Sequence, residues 1–150
     1  MSIEIGDLAP DFSLKNQHGE SITLSDLRPK PVFLIFLPFA ASGICTGELC
    51  EIRDRIEEID GAEIVAVTCD HFFSNRAWAE REGYNFSILS DFWPHGQTAS
   101  AYSIFDEAIG AALRATFLLD SAGIVRWKVE HGVGEARNFA DYRQALLNLQ

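Results

Sequence analysis

Seven consecutive apolar residues, Pro31-Val-Phe-Leu-Ile-Phe-Leu37, constrain this chain more than any other segment. A strand with one wet face alternates apolar and polar side chains. This run does not alternate, so both of its faces need cover, as in the centre of a sheet packed on two sides. The segment "AEIVAVTCD" (62–70) reads as a second such strand. Between them Leu49, Ile52, Ile56 and Ile59 recur at helical spacing, which predicts a helix over 44–59. A strand–helix–strand unit implies parallel strands joined by a right-handed crossover.

The remaining segments fill in around that unit. "DFSLKN" and "SITLSD" flank "QHGE" and read as an N-terminal hairpin. "SNRAWAEREG" predicts a short helix with Ser74 at its N-cap and Gly83 at its C-cap. "FSILSD" (86–91) is a third central strand, and "GQTASAYSIF" a short helix. "ALRATFLLD" and "GIVRWKVEHG" face each other across "DSAG" as an antiparallel hairpin, and "NFADYRQALLNL" closes the chain as an amphipathic helix. The order predicts an α/β fold, a mixed central sheet between helix layers with an N-terminal β-hairpin. It suits a thioredoxin-like three-layer fold spanning residues 1–150 as one domain, without excluding other three-layer folds.

Composition sets limits on function. The 150 residues carry 12 Lys+Arg against 22 Asp+Glu, a formal charge of −10. That field repels nucleic acid and anionic lipid. The longest apolar run, 31–41, is far short of the ~20 residues a membrane span requires. With no basic, apolar leader in "MSIEIGDLAPDF", the expectation is a soluble cytoplasmic protein. The three cysteines, Cys45, Cys50 and Cys69, are too few and odd in number for a secreted disulfide framework. The C-x4-C spacing lacks a second ligand pair, and His18, His71, His95 and His131 are scattered, so neither a metal nor another cofactor is expected.

Cys45 falls in the first turn of the helix that follows the central strand. Sites in open α/β folds lie at the carboxyl ends of strands. At a helix N-terminus the unpaired N–H groups and the macrodipole favour an anion, which raises the thiolate fraction of a cysteine and makes it nucleophilic. Yet Cys45 also heads the apolar stripe of that helix, because Leu49, Ile52, Ile56 and Ile59 all lie within about 40° of it on a helical wheel. Core residue and reactive thiol are both consistent with the pattern. Cys50 lies about 140° from Cys45, beside Asp54 and Glu57, where periodicity gives it no core role. Cys69, at the end of the second central strand, reads as a small core residue.

The segment Pro38-Phe-Ala-Ala-Ser42-Gly-Ile-Cys45 resembles the peroxiredoxin signature P-x-x-x-[T/S]-x-x-C. "IGDLAPDFSL", "LPFAASGICTGEL", "LSDFWPHG" and "RATFLLDSAGIVR" are similar to the AhpE-type (alkyl hydroperoxide reductase E-like) peroxiredoxins from about residue 5 to the C-terminus. The resemblance implies a thiol-dependent peroxidase acting on hydrogen peroxide and organic hydroperoxides, with peroxynitrite as a further candidate. It implies that Cys45 is the peroxidatic cysteine, oxidised to a sulfenic acid. Ser42 matches the hydroxyl that bonds the thiolate and the peroxide, and Arg114 the arginine that stabilises the transition state. Pro38 matches the residue that shields the thiolate, and Glu48 the glutamate that supports the arginine. Outside the family these four would read as a helix cap, a surface charge, a loop residue and a surface acid.

"CTGELCEIRD" departs from the AhpE pattern and resembles the C-x4-C-x-x-R-D segment of the bacterioferritin-comigratory (PrxQ) group, in which the second cysteine resolves the first. That likeness implies an intramolecular Cys45–Cys50 disulfide, with Cys69 as an alternative resolving thiol or a gate to the pocket. The alternatives are a one-cysteine enzyme reduced by an external thiol, or a peroxide sensor whose output is a binding event. A disulfide reductase on this fold is disfavoured by the missing C-x-x-C. Thioredoxin, a glutaredoxin-like mycoredoxin and a low-molecular-weight thiol are the candidate reductants. The aromatic loop 90–96 reads as a dimer interface, as in similar peroxiredoxins, or as core; with Phe39, Phe92 and Trp93 the favoured reading is a homodimer interface.

Overall fold

The computed structural model describes residues 2–149. The apolar run forms β3 (Val32–Phe36), buried at every position. It pairs in parallel with β4 (Glu63–Thr68), which pairs in parallel with β5 (Ser87–Ser90). On its other side β3 meets β8 (Arg114–Leu119) antiparallel, Phe36 opposite Ala115, and β8 continues into β9 (Val125–His131). The hairpin of β1 (Ser13–Lys15) and β2 (Ser21–Thr23) joins the β5 edge at Lys15–Ser90. The sheet order is therefore β2-β1-β5-β4-β3-β8-β9, mixed as the pattern predicts.

Each face has its own core. One carries α1 (Gly43–Asp54), α2 (Phe72–Glu82) and α4 (Phe139–Leu149), which pack Leu49, Ile52, Trp78, Phe139 and Leu146 onto Phe33, Ile35 and Ile64. The other is covered by α3 (Gln97–Ala101), the N-terminal segment and a two-stranded ribbon of β6 (Phe105–Asp106) and β7 (Ala111–Ala112). Alternate residues of β3 point to alternate cores, which is why the run could not alternate in polarity.

Four boundaries differ from expectation. The helix predicted over 44–59 ends at Asp54, and Ile56–Ile59 forms a separate 3-10 turn. Arg55 leaves helical geometry to lie over the Phe139 ring at 4.4 Å and pair with Glu58. The next helix begins at Phe72, not after Ser74, because the His71 ring nitrogen accepts the Phe73 N–H and serves as cap. Its end at Gly83, with φ +74°, is as read. The second hairpin strand stops at Thr23, where the Asp11 carboxylate accepts from the Ser25 N–H and hydroxyl and turns the chain into a 3-10 helix. The short helix of the segment 96–105 is confined to Gln97–Ala101, and Ser103 at φ +61° turns the chain out of it.

Candidate active site

The carboxyl end of β3, the first turns of α1, the start of β8 and the approach to α4 meet at one point. Cys45 lies there, 0% exposed, in the same core cluster as Leu49 and Ile52. Its position combines two features: it heads the buried stripe, and it also faces a cation. Arg114 Nη1 donates to Cys45 Sγ at 3.2 Å and to Glu48 Oε1 at 2.7 Å, while its Nε donates to the Val133 carbonyl at 2.8 Å. Glu48 lies one helical turn after Cys45, so helical periodicity aims both toward β8.

A residue that sequence reasoning missed completes the cluster. Arg137, in the loop before α4, is buried. Its Nε and Nη2 donate to the two Glu48 oxygens at 2.8 Å each, and its backbone N–H adds a bond at 2.7 Å. Its Nη1 donates to the carbonyls of Phe36 and Ala115, the paired ends of β3 and β8, and to Thr116 Oγ1. "GVGEARN" has no periodicity and reads as a solvated loop, so nothing local marks this arginine. Burial alone would push the Glu48 carboxyl up. The hydrogen bonds and charge of Arg137, with the charge of Arg114, outweigh it and hold the carboxyl below its ordinary 4.5.

Ser42 occupies the N-cap position of α1 but makes no side-chain cap bond. Among the described residues its Oγ is the one buried side-chain oxygen or nitrogen without a hydrogen-bond partner. Capping does not explain it, and in this state it does not bond Cys45. Pro38 is buried just past β3. The loop between them is held by a bond from Ala40 N–H to the Asp70 carboxylate at 2.8 Å and contains Ala41 at φ +66°, a conformation that costs a non-glycine residue about 1 kcal/mol or more.

Cys50, for which helical periodicity gave no core role, does pack against the core. It is half-buried at the edge of the core, donates to Glu82 Oε1 at 3.6 Å and lies 3.4 Å from the Tyr84 hydroxyl. The wheel misled because the end of α2 covers that side of α1. All three cysteines are free. Cys69 is buried, and burial with the neighbouring Asp91 charge pushes its thiol up to about 12, which suits the core reading and leaves it a poor nucleophile. Phe39, Phe92 and Trp93 are exposed, Trp93 by 81%.

Residues 5–128 match the AhpC/TSA family. The chain belongs to that family. It is a peroxiredoxin, and peroxiredoxins are thiol-dependent peroxidases. Over 150 residues it is 39% identical to alkyl hydroperoxide reductase E of Mycobacterium tuberculosis, covering 98% of each chain. Over 137 residues it is 31% identical to peroxiredoxin Bcp of Escherichia coli, covering 86% of this chain and 84% of that one. The crystal structure of peroxidoxin BcpB from Mycobacterium tuberculosis superposes with a TM-score of 0.89 at 26% identity, covering 99% of both chains. The AhpE and Bcp likenesses seen in the sequence are therefore both present in this peroxiredoxin, and its fold is the thioredoxin-like one expected. No helix among the described residues is long and apolar enough to cross a membrane, and no group of His, Cys, Asp and Glu among them is arranged to hold a metal.

Because the folded protein depresses the Glu48 carboxyl, this group stabilises the fold above about pH 4.5, and that contribution is lost as pH falls through the lower, folded value. Glu48→Gln should therefore be less stable than wild type at pH 7 by about 3–5 kcal/mol, the cost of leaving buried charge unpaired. The difference should shrink steadily below pH 4.5. Urea unfolding of both proteins from pH 7 to pH 3 checks this; parallel stability curves would contradict it.

Proposed function

We propose that Cys45 is the peroxidatic cysteine of this peroxiredoxin, with Arg114 and Ser42 as its fixed donors. The observation that carries the reading is Arg114 Nη1, 3.2 Å from Cys45 Sγ on a guanidinium whose other bonds are taken by Glu48 and Val133. Charge balance supports it. Arg114 and Arg137 bring two cations to a buried cluster with one carboxylate, so a thiolate at Cys45 makes it neutral.

In the proposed reaction the thiolate attacks the distal oxygen of a hydroperoxide. The S–O bond forms as the O–O bond breaks, sulfur is oxidised to a sulfenic acid, and the peroxide leaves as alcohol or water after taking a proton. Negative charge moves from sulfur to the leaving oxygen. Arg114 faces the sulfur where that charge starts, and the unpartnered Ser42 hydroxyl is free to bond a peroxide oxygen. Fixed donors of this kind act without reorganising at the moment of reaction. Pro38 shields the thiolate. Glu48 and Arg137 position Arg114 and do not touch the reacting atoms. Hydrogen peroxide and organic hydroperoxides are the proposed substrates, with peroxynitrite as a further one.

The sulfenic acid is then resolved by Cys50: its thiol attacks the Cys45 sulfur, a disulfide forms, and the hydroxyl leaves as water. Thioredoxin, a mycoredoxin or glutaredoxin-like protein, or two equivalents of a low-molecular-weight thiol returns both sulfurs to thiols. The half-buried, hydrogen-bonded setting of Cys50 supports this role over an incidental one. The opposing reading is a one-cysteine cycle, favoured by the unbroken α1 between the two residues. Five residues of helix separate their Cα atoms by about 8–9 Å. A disulfide requires less than about 7 Å. We further propose a single domain acting in the cytoplasm as a homodimer, with Phe39, Phe92 and Trp93 in the contact.

Peptide mapping by mass spectrometry after one equivalent of peroxide tests the cycle. A Cys45–Cys50 bond is expected. A persistent Cys45 sulfenic acid with Cys50 free contradicts resolution by Cys50, and an unmodified Cys45 contradicts the whole assignment. In sedimentation velocity at micromolar concentration the reduced protein should run as a two-chain species that Trp93→Glu dissociates; a monomeric wild type would contradict the dimer.

A further inference from the structure

Two sets of contacts hold α1, and they divide at Gly47. From Glu48 onward the helix is pinned by the two arginines, by the buried Leu49 and Ile52, and by Arg53, whose Nη1 donates to the Glu82 carbonyl at 2.5 Å. Before Gly47 the attachments are fewer. Besides the buried Cys45 side chain and its bond from Arg114, they converge on one residue, Thr46. Its hydroxyl accepts from Trp78 Nε1 at 3.0 Å, and its carbonyl accepts from the Tyr84 hydroxyl at 3.2 Å. Gly47 is exposed between the two sets, and a methyl group built on it would meet no atom.

Tyr84 belongs to both sets, because the same hydroxyl that donates to Thr46 lies 3.4 Å from Cys50 Sγ. Burial and the neighbouring Cys50 push its phenol up, so it stays protonated and keeps its proton to donate. Its ring is held apart from this by Trp78 and Phe86, at 5.4 and 5.3 Å between centroids. Cys50 itself is bonded to Glu82 at the end of α2. Since an intact helix keeps the two sulfurs out of reach, one end must move, and the pinned end is the one bearing Cys50.

We propose that the Tyr84 hydroxyl is the latch of the peroxidatic turn: a positioning group that holds residues 43–47 closed through Thr46 while Cys50 waits in place beside it. Resting on the assignment of Cys45 and Cys50 above, the latch sets how the sulfenic acid divides between two fates. With the turn closed, a second peroxide oxidises Cys45–SOH to the sulfinic acid and is reduced to water or alcohol. With the turn open, the Cys50 thiol displaces the hydroxyl as water and forms the disulfide. Trp78 assists on the Thr46 side chain, and Gly47 is the hinge.

Tyr84→Phe removes the hydroxyl and keeps the ring. Loss of one hydrogen bond of ordinary strength shifts an equilibrium about five-fold. In the reduced variant, the amides of Thr46 and Gly47, the first ones bonded within α1, should exchange with deuterium about five-fold faster, measured by mass spectrometry. The disulfide should form about five-fold faster, and about five-fold more peroxide should be needed for half-conversion to sulfinic acid. The rate of first oxidation of Cys45 should stay at the wild-type value, which a general loss of structure would not allow. Gly47→Ala, which adds helix propensity without a clash, should move exchange and partition in the opposite direction. Unchanged exchange in Tyr84→Phe overturns the latch, even if the disulfide rate changes through Cys50 itself. Absence of a Cys45–Cys50 bond in the oxidised wild type overturns instead the resolving role on which the latch rests.

Discussion

The carboxylate of Glu48, 6% exposed and shared between two buried arginines, is the interaction on which the site depends. Neither arginine would be tolerated at this depth alone, since an unpaired buried charge costs several kcal/mol. Together they hold the end of β3 to the end of β8, because Arg137 also takes the carbonyls of Phe36 and Ala115. They fix where Arg114 points as well. A guanidinium with Nε on Val133 and Nη1 on Glu48 has little freedom left, and that Nη1 is the one that faces the cysteine. Strand pairing, helix placement and the approach to sulfur are thus settled by one carboxylate.

In the proposed cycle the same clamp divides α1 into a fixed part and a releasable part. Everything from Glu48 onward is tied into the core, whereas Gly43 and Gly47 flank a short turn held chiefly by Thr46 and by the sulfur itself. A peroxidatic cysteine has conflicting needs: full order while it meets peroxide, and release once it is oxidised. Placing the rigid contacts on one side of Gly47 and the few breakable ones on the other satisfies both without disturbing the sheet.

Much of this was legible in the residues. The doubly apolar run gave away β3 and its place at the centre of the sheet, since only a covered strand excludes polar residues from both faces. That Cys45, Glu48 and Arg114 would come together could be expected, because they sit in regular elements with local motifs around them. Arg137 could not. Its role comes from three segments that meet only in the fold, and its own loop carries no periodic signal. Cys50 was placed on a solvated face because a helical wheel knows nothing of the α2 end that packs there. Trp78 and Tyr84 would have passed as plain core, for their polar atoms matter only once Thr46 is beside them. The split of the helix at Arg55 was hidden for the same reason: the Phe139 ring that attracts it lies 84 residues away.

Stopped-flow measurement of Cys45 oxidation by hydrogen peroxide in Arg137→Lys tests the central claim most directly. Lysine keeps the positive charge but cannot reach both Glu48 oxygens and the strand carbonyls with one planar group. If Glu48, held by Arg137, positions Arg114, oxidation should slow by about ten-fold or more, the scale on which small misplacement of a reacting or stabilising group acts. A wild-type oxidation rate in folded Arg137→Lys would contradict the account, leaving Arg137 as a pin for the strands with no part in aiming Arg114.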